Sequence, residues 1–166
     1  NMEEAILISA TVCLINTSLC DEIRQKVSEA TGVRSANIIL SATHTHSGPC
    51  TEGTTGWGEI DRKYCDEVFI PKTISAAKKA VESLKPAMMG IGTIKSDVGI
   101  NRRQLFENGN VGLGQNPWGC YDPNLTVISF KEISGNPIAN IIHYGAHCTA
   151  AGRNTGGRRV RRSVVS

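Results

Sequence analysis

Two short, apolar, β-branched runs, residues 5–14 and 37–42, stand on either side of one amphipathic segment. Runs of this type and length read as buried strands. Between them Leu19, Ile23, Val27 and Ala30 recur at helical spacing. Ser18 and Asp21 form a Ser-x-x-Asp capping pattern, Glu22 favours a helix N-terminus, and Gly32 supplies the stop. A strand–helix–strand unit this short admits little besides a parallel pair with a right-handed crossover. Ligands in open α/β sheets collect at the carboxyl ends of the strands. Residues 43–49 leave from one such end.

The rest of the chain extends the same class. Residues 60–84 carry a helical stripe of Ile60, Tyr64, Val68, Ile74, Ala77, Val81 and Leu84, which Pro71 should kink or split. Residues 87–98 read as a strand. Residues 99–123, with glycines at 109, 112, 114 and 119, read as a long irregular loop. Residues 125–133 and 137–142 read as strands joined by a Ser134-Gly135-Asn136 turn. The expected architecture is α/β, a mixed, partly parallel sheet with flanking helices. A length of 166 residues suits one core, so residues 1–154 are expected to form one domain.

All four histidines fall in two pairs behind such strands: His44 and His46 in Ser-Ala-Thr-His-Thr-His-Ser-Gly-Pro, His143 and His147 in Ile-Ile-His-Tyr-Gly-Ala-His-Cys-Thr. Imidazole is the commonest metal ligand and general base near neutral pH. Residues i and i+2 of a strand share a side, so His44 and His46 face one site if the strand continues that far. His143 and His147 share a face only on a helix. His147, past Gly145 at the strand's end, is therefore the better placed of the two. A His-x-His pair also occurs for purely structural reasons; a second pair behind another strand favours a shared polar site. Two ligands hold zinc weakly, and a catalytic site normally has three plus water. Asp122, Glu52, Cys50 and Cys148 are the further candidates, none with a compelling spacing. Arg102 can stabilise an oxyanion or bind a carboxylate, although an isolated arginine is commonly a surface charge. Ser41 and Ser47 lack the Gly-x-Ser-x-Gly elbow and read as loop hydrogen-bonders.

Charge and cysteines exclude other classes. Five of the 18 basic residues are arginines in residues 152–166; the remaining 13 stand against 15 acidic ones. The body is mildly acidic, which argues against a nucleic-acid partner. The arginine-rich end, residues 155–166, reads as a solvated tail, either disordered or non-native. The six cysteines include no Cys-x-x-Cys pair. They read as mostly free thiols in a reducing compartment, with Cys13 packed like a small hydrophobe. No apolar run is long enough for a stable membrane insertion. The acidic start lacks a signal peptide, so the chain as it stands reads as cytoplasmic.

The segment at 41–49 resembles the Thr-His-Thr-His-Ser-Gly-Pro signature of the neutral/alkaline, non-lysosomal ceramidases. Residues 5–16, Ile100-Asn101-Arg102 and residues 122–149 resemble further family segments in the same order. The resemblance covers roughly residues 5–154 and implies part of that family's catalytic domain. It implies His44 and His147 as zinc ligands, His46 as the histidine that assists the attacking water, and Arg102 as an active-site arginine. The implied reaction is zinc-dependent hydrolysis of an amide, releasing a fatty acid from sphingosine. The family's remaining ligands, a glutamate and a tyrosine, and its immunoglobulin-like domain have no counterpart here. Residues 155–166 match nothing in it. The expectation is a truncated relative with altered or reduced activity on a lipid or small-molecule substrate.

Two other readings stay open. His46, polarised by a neighbour such as Asp122, can serve as the base of a metal-independent ester or glycoside hydrolase. Alternatively, the chain is a non-catalytic, oligomeric binding module. Two or three helices for about five strands leave apolar sheet uncovered, which a homo-oligomer would bury.

Overall fold

A computed structural model describes residues 3–53 and 58–147. They group into two compact units that part between Leu84 and Lys85. The class is α/β, with one parallel strand pair and several antiparallel ones.

In the first unit, β1 (Ile6–Ala10) and β2 (Ile38–Ala42) run parallel, with Ile6 opposite Ile38 and Ala10 opposite Ala42. Between them lies α1 (Thr17–Thr31). Leu19, Ile23 and Val27, spaced by four, lie on one face of this helix and are fully buried; Ala30 is exposed. Together with Ile6, Val12 and Ile38 they form the centre of the core. Truncating one of them, such as Ile23→Ala, costs about 2–5 kcal/mol. The helix begins earlier than the Ser18 capping pattern suggests. Asn16 is the cap, and its Oδ1 accepts from the backbone N–H of Ser18 at 2.9 Å and of Leu19 at 3.3 Å. An Asn cap satisfies the orphan amides as well as Ser does. Gly32 closes the helix with φ 80°, the left-handed conformation glycine adopts freely.

The second helical segment departs from simple periodicity. An α-turn, α2 (Arg62–Tyr64), runs into a π-helical stretch, Cys65–Phe69, and then into α3 (Ile70–Glu82). Pro71 has no N–H to bond the carbonyl four residues back. The wider turn just before it absorbs that loss, and the helix continues instead of breaking. It also advances the stripe, so the buried positions are Cys65, Phe69, Ile70, Thr73 and Ala77. Val68, Ile74 and Val81 are half-buried and Leu84 is exposed. Arg62 bridges Glu22 of α1 at 2.9 Å and Asp66 at 2.8 Å. Exposed pairs of this type contribute little to stability, because solvent screens them.

In the second unit, β3 (Ala87–Lys95), β6 (Asn124–Glu132) and β7 (Pro137–Tyr144) form an antiparallel sheet with β6 in the middle. The turn between β6 and β7 is closed by Glu132 and Gly135, as the Ser-Gly-Asn signal predicts. The supposed irregular stretch from 99 to 123 is instead a hairpin of β4 (Asn101–Leu105) and β5 (Val111–Asn116). Its loop is closed by Phe106 N–H to Asn110 at 2.9 Å and Gly109 N–H to Phe106 at 2.9 Å. Gly112 and Gly114 are glycines because side chains cross them, not because the chain is irregular. A Cβ on Gly114 would collide with Gln104, and one on Gly112 with Phe106.

Candidate metal centre

The parallel pair delivers two chain segments to one end. Strand β1 stops at Ala10, well short of the expected residue 14, so Cys13 lies in the turn that follows and not in the apolar strand. Strand β2 stops at Ala42, and Thr43 still donates to the carbonyl of Ala10 at 2.9 Å. The strand geometry expected to align His44 with His46 therefore ends before either residue.

The two rings converge by another route. His44 has φ 59°, the one non-glycine positive φ among the described residues. Such a conformation costs of order 1–3 kcal/mol and persists only where the surroundings enforce it. Here it turns the ring so that Nδ1 lies 3.0 Å from the carbonyl oxygen of Cys13 and 3.5 Å from its Sγ. A carbonyl only accepts, so Nδ1–H of His44 is the donor. Its Nε2 then carries the lone pair and lies 3.3 Å from Nε2 of His46. The rings stand edge to face, with centroids 4.8 Å apart.

The loop that follows is laced to the same turn. Thr51, almost fully buried, donates its hydroxyl to the carbonyl of Leu14. Asn16 N–H bonds the Thr51 carbonyl at 3.3 Å, and the Asn16 amide reaches that of Glu52 at 3.5 Å. Cys13, Leu14, His46, Pro49, Cys50 and Glu52 thereby line a small open cavity of about 70 Å³. A water needs only about 10–15 Å³ measured this way, so the cavity holds several waters or a small polar group. Burial pushes the Cys13 thiol above its ordinary pKa, with the Glu52 carboxylate and Cys50 adding to the effect. Cys50 Sγ accepts from Gly53 N–H at 3.4 Å.

Among the described residues, Cys13, His44 and His46 form a group able to hold a metal ion, their donor atoms within 4.8 Å of one another. Imidazole and thiolate suit zinc. The Cys13 carbonyl takes the second ring N–H of His44, as partners of metal-ligating histidines usually do. The donor set thus fits the ion. Cys13 is the residue that reasoning from sequence missed. The parallel pairing supplies the signal: Cys13 stands three residues past Ala10, and His44 two past its partner Ala42.

The other anticipated residues sit on other elements. Arg102 is in β4, exposed, at an irregularity of the register between Asn101 and Arg103. His143 is in β7, opposite Thr126, and His147 is half-buried beyond the end of that strand. All three belong to the second unit. Asp122 accepts from Asn124 N–H at 2.9 Å and caps its own turn. Ser41 is within β2, and Ser47 N–H meets Thr45 Oγ1 at 3.4 Å. Cys148 and residues 155–166 lie outside the described residues.

No family model matches the chain, and no solved structure matches it. Two curated proteins of Dictyostelium discoideum do. Neutral ceramidase A is 30% identical over 161 residues, covering 88% of this chain. Neutral ceramidase B is 27% identical over 161 residues, covering 90%. The chain is a relative of the neutral ceramidases. It spans about a fifth of these ceramidases, 22% of each. No helix among its described residues is long and apolar enough to cross a membrane.

Proposed function

We propose that this chain carries part of the active site of a zinc-dependent hydrolase of amide or ester bonds, with a ceramide-like lipid amide as the substrate class. The observation that carries the reading is the His44 ring, held by the Cys13 carbonyl with its Nε2 directed at His46. The likeness to two proteins named neutral ceramidases supplies the reaction class.

In this reading His44 holds the ion through Nε2, and His147 is a second ligand by family resemblance. Zinc supplies a Lewis acid that polarises a carbonyl and lowers the pKa of water. His46 takes the proton of the attacking water and returns it to the leaving amine, the usual work of a general base that turns acid. Arg102 stabilises the developing oxyanion. A cavity of about 70 Å³ is far too small for two acyl-length chains. It receives the polar head and the scissile bond, while the chains lie outside it.

The test is metal content and turnover on a short-chain ceramide, measured before and after chelation. Stoichiometric zinc with chelator-sensitive hydrolysis is the expected outcome. Full activity in chelator would sink the metal and leave a second reading. In that reading the Cys13 carbonyl, His44 and His46 form a hydrogen-bonded relay that makes His46 a metal-free base for small esters.

We also propose that the protein self-associates. In the β3–β6–β7 sheet Met89, Phe130 and Ala139 line up across one face beside Ile91, Ile128 and Ile141. Met89 and Ile91 are exposed by 69% and 70%. A second copy that covers this face removes apolar surface from water.

A further inference from the structure

Cys13 already serves the site through its backbone, since its carbonyl holds the His44 ring. Its thiol is in the same place. Sγ lies 3.5 Å from the protonated Nδ1 of His44 and within 4.8 Å of one ring nitrogen of each histidine. In a tetrahedral zinc site with Zn–S about 2.3 Å and Zn–N about 2.0 Å, sulfur and nitrogen are about 3.5 Å apart. Such a site requires the Cys13 side chain to turn its sulfur from the Nδ1 edge of the His44 ring towards the ion at Nε2. Cys13 is only half-buried and lines the cavity beside His46 and Glu52. It is therefore not spent on core packing, as Val12 next to it is.

Backbone placement points the same way. His44 keeps a strained φ that brings its ring against residue 13. The Thr51–Leu14 and Asn16–Thr51 bonds hold the turn containing Cys13 to the loop behind the histidines. Strain of this kind persists where surrounding contacts over-determine it. A rigid turn that presents a soft sulfur next to an oriented imidazole is a ligand geometry.

We infer that Cys13 is itself a protein ligand of the ion held by His44, binding through Sγ as thiolate. The inference rests on the metal-dependent reading and deepens it. The first unit then contributes sulfur and nitrogen from the ends of two parallel strands, and its donor set selects zinc or cobalt over magnesium or calcium.

Cobalt(II) separates this inference from the reading it rests on. The full chain is loaded with cobalt, and its visible d–d bands and near-ultraviolet sulfur-to-cobalt charge-transfer band are recorded. Both sets of bands are expected. Cys13→Ser should lose the charge-transfer band and keep d–d bands, and Cys50→Ser should keep both. Visible bands without a sulfur band in the unmodified chain, or a sulfur band that survives Cys13→Ser, would overturn the thiolate ligand alone. No bands of either kind would overturn the metal reading with it. Alkylation mapped by mass spectrometry gives a second measure on the unmodified chain, should Cys13→Ser fail to fold. Zinc should protect Cys13 from iodoacetamide while the exposed Cys120 stays reactive. Equal labelling of Cys13 with and without zinc would refute the ligand.

Discussion

At the scale of the residue, His44 combines a strained backbone with an oriented ring. Replacing it with alanine removes the Nε2 donor and the contact to the Cys13 carbonyl together. His44→Ala should therefore bind no stoichiometric zinc by elemental analysis, while the core strands stay folded. His46 is exposed and touches His44 through Nε2. His46→Ala should keep the metal and slow hydrolysis by ~10²–10⁴, the usual worth of a general base. A variant that loses both together would assign His46 to the ligand shell instead. Asn16 offers a purely structural test. Asn16→Ala leaves two first-turn amides of α1 without their acceptor and should cost about 1 kcal/mol in chemical denaturation. A loss of that size at Ser18 in its place would restore the capping pattern expected from sequence.

At the scale of the element, the second unit shows where local signals mislead. Glycines at 112 and 114 resemble loop residues, yet they make room in β5 for Phe106 and Gln104 of the facing segment. What closes the hairpin is the turn after Phe106, where Gly109 takes φ 78° and its N–H bonds the Phe106 carbonyl. Lys85, just before β3, pairs with Glu132 at the end of β6, across the pairing of Ala87 with Glu132. The Lys85 ammonium first, then Asn136 and Ser134, hold the Glu132 carboxyl down to about 2 from an ordinary 4.5. A depressed carboxyl stabilises the fold above its unfolded pKa and loses that contribution as pH falls through its folded one. The contribution of Glu132 should therefore be full above about pH 4.5 and fade towards pH 2. Urea midpoints of the unmodified chain and Glu132→Gln should differ near neutral pH and converge near pH 2. A gap that widens on acidification would refute the pairing.

At the scale of the whole molecule, Met89 and Ile91, exposed beside half-buried Ile128, Phe130 and Ile141 on one face of the β3–β6–β7 sheet, call for a cover. Monomers seldom leave more than a few hundred Å² of contiguous apolar surface in water. Light scattering at micromolar concentration should give a mass of at least twice 17.8 kDa. Met89→Lys with Ile91→Lys should shift it towards the monomer. A clean monomer for the unmodified chain would remove the self-association proposal.

The residues alone determined the strand–helix–strand unit. Apolar spacing at Leu19, Ile23 and Val27 and the β-branched run before Ala42 reflect burial, which periodicity records directly. They also marked His44 and His46, because residue type and closeness in sequence suffice to find a pair. The tertiary structure alone decided how that pair is arranged. The expected strand geometry ends at Ala42, and the rings meet because His44 takes a left-handed φ against the Cys13 carbonyl. That contact joins residues 31 apart in the chain. Nothing local in residues 11–14 distinguishes Cys13 from a core thiol. Only the pairing of β1 with β2 brings its sulfur beside the imidazole, since register between distant strands comes from packing and not from either segment by itself.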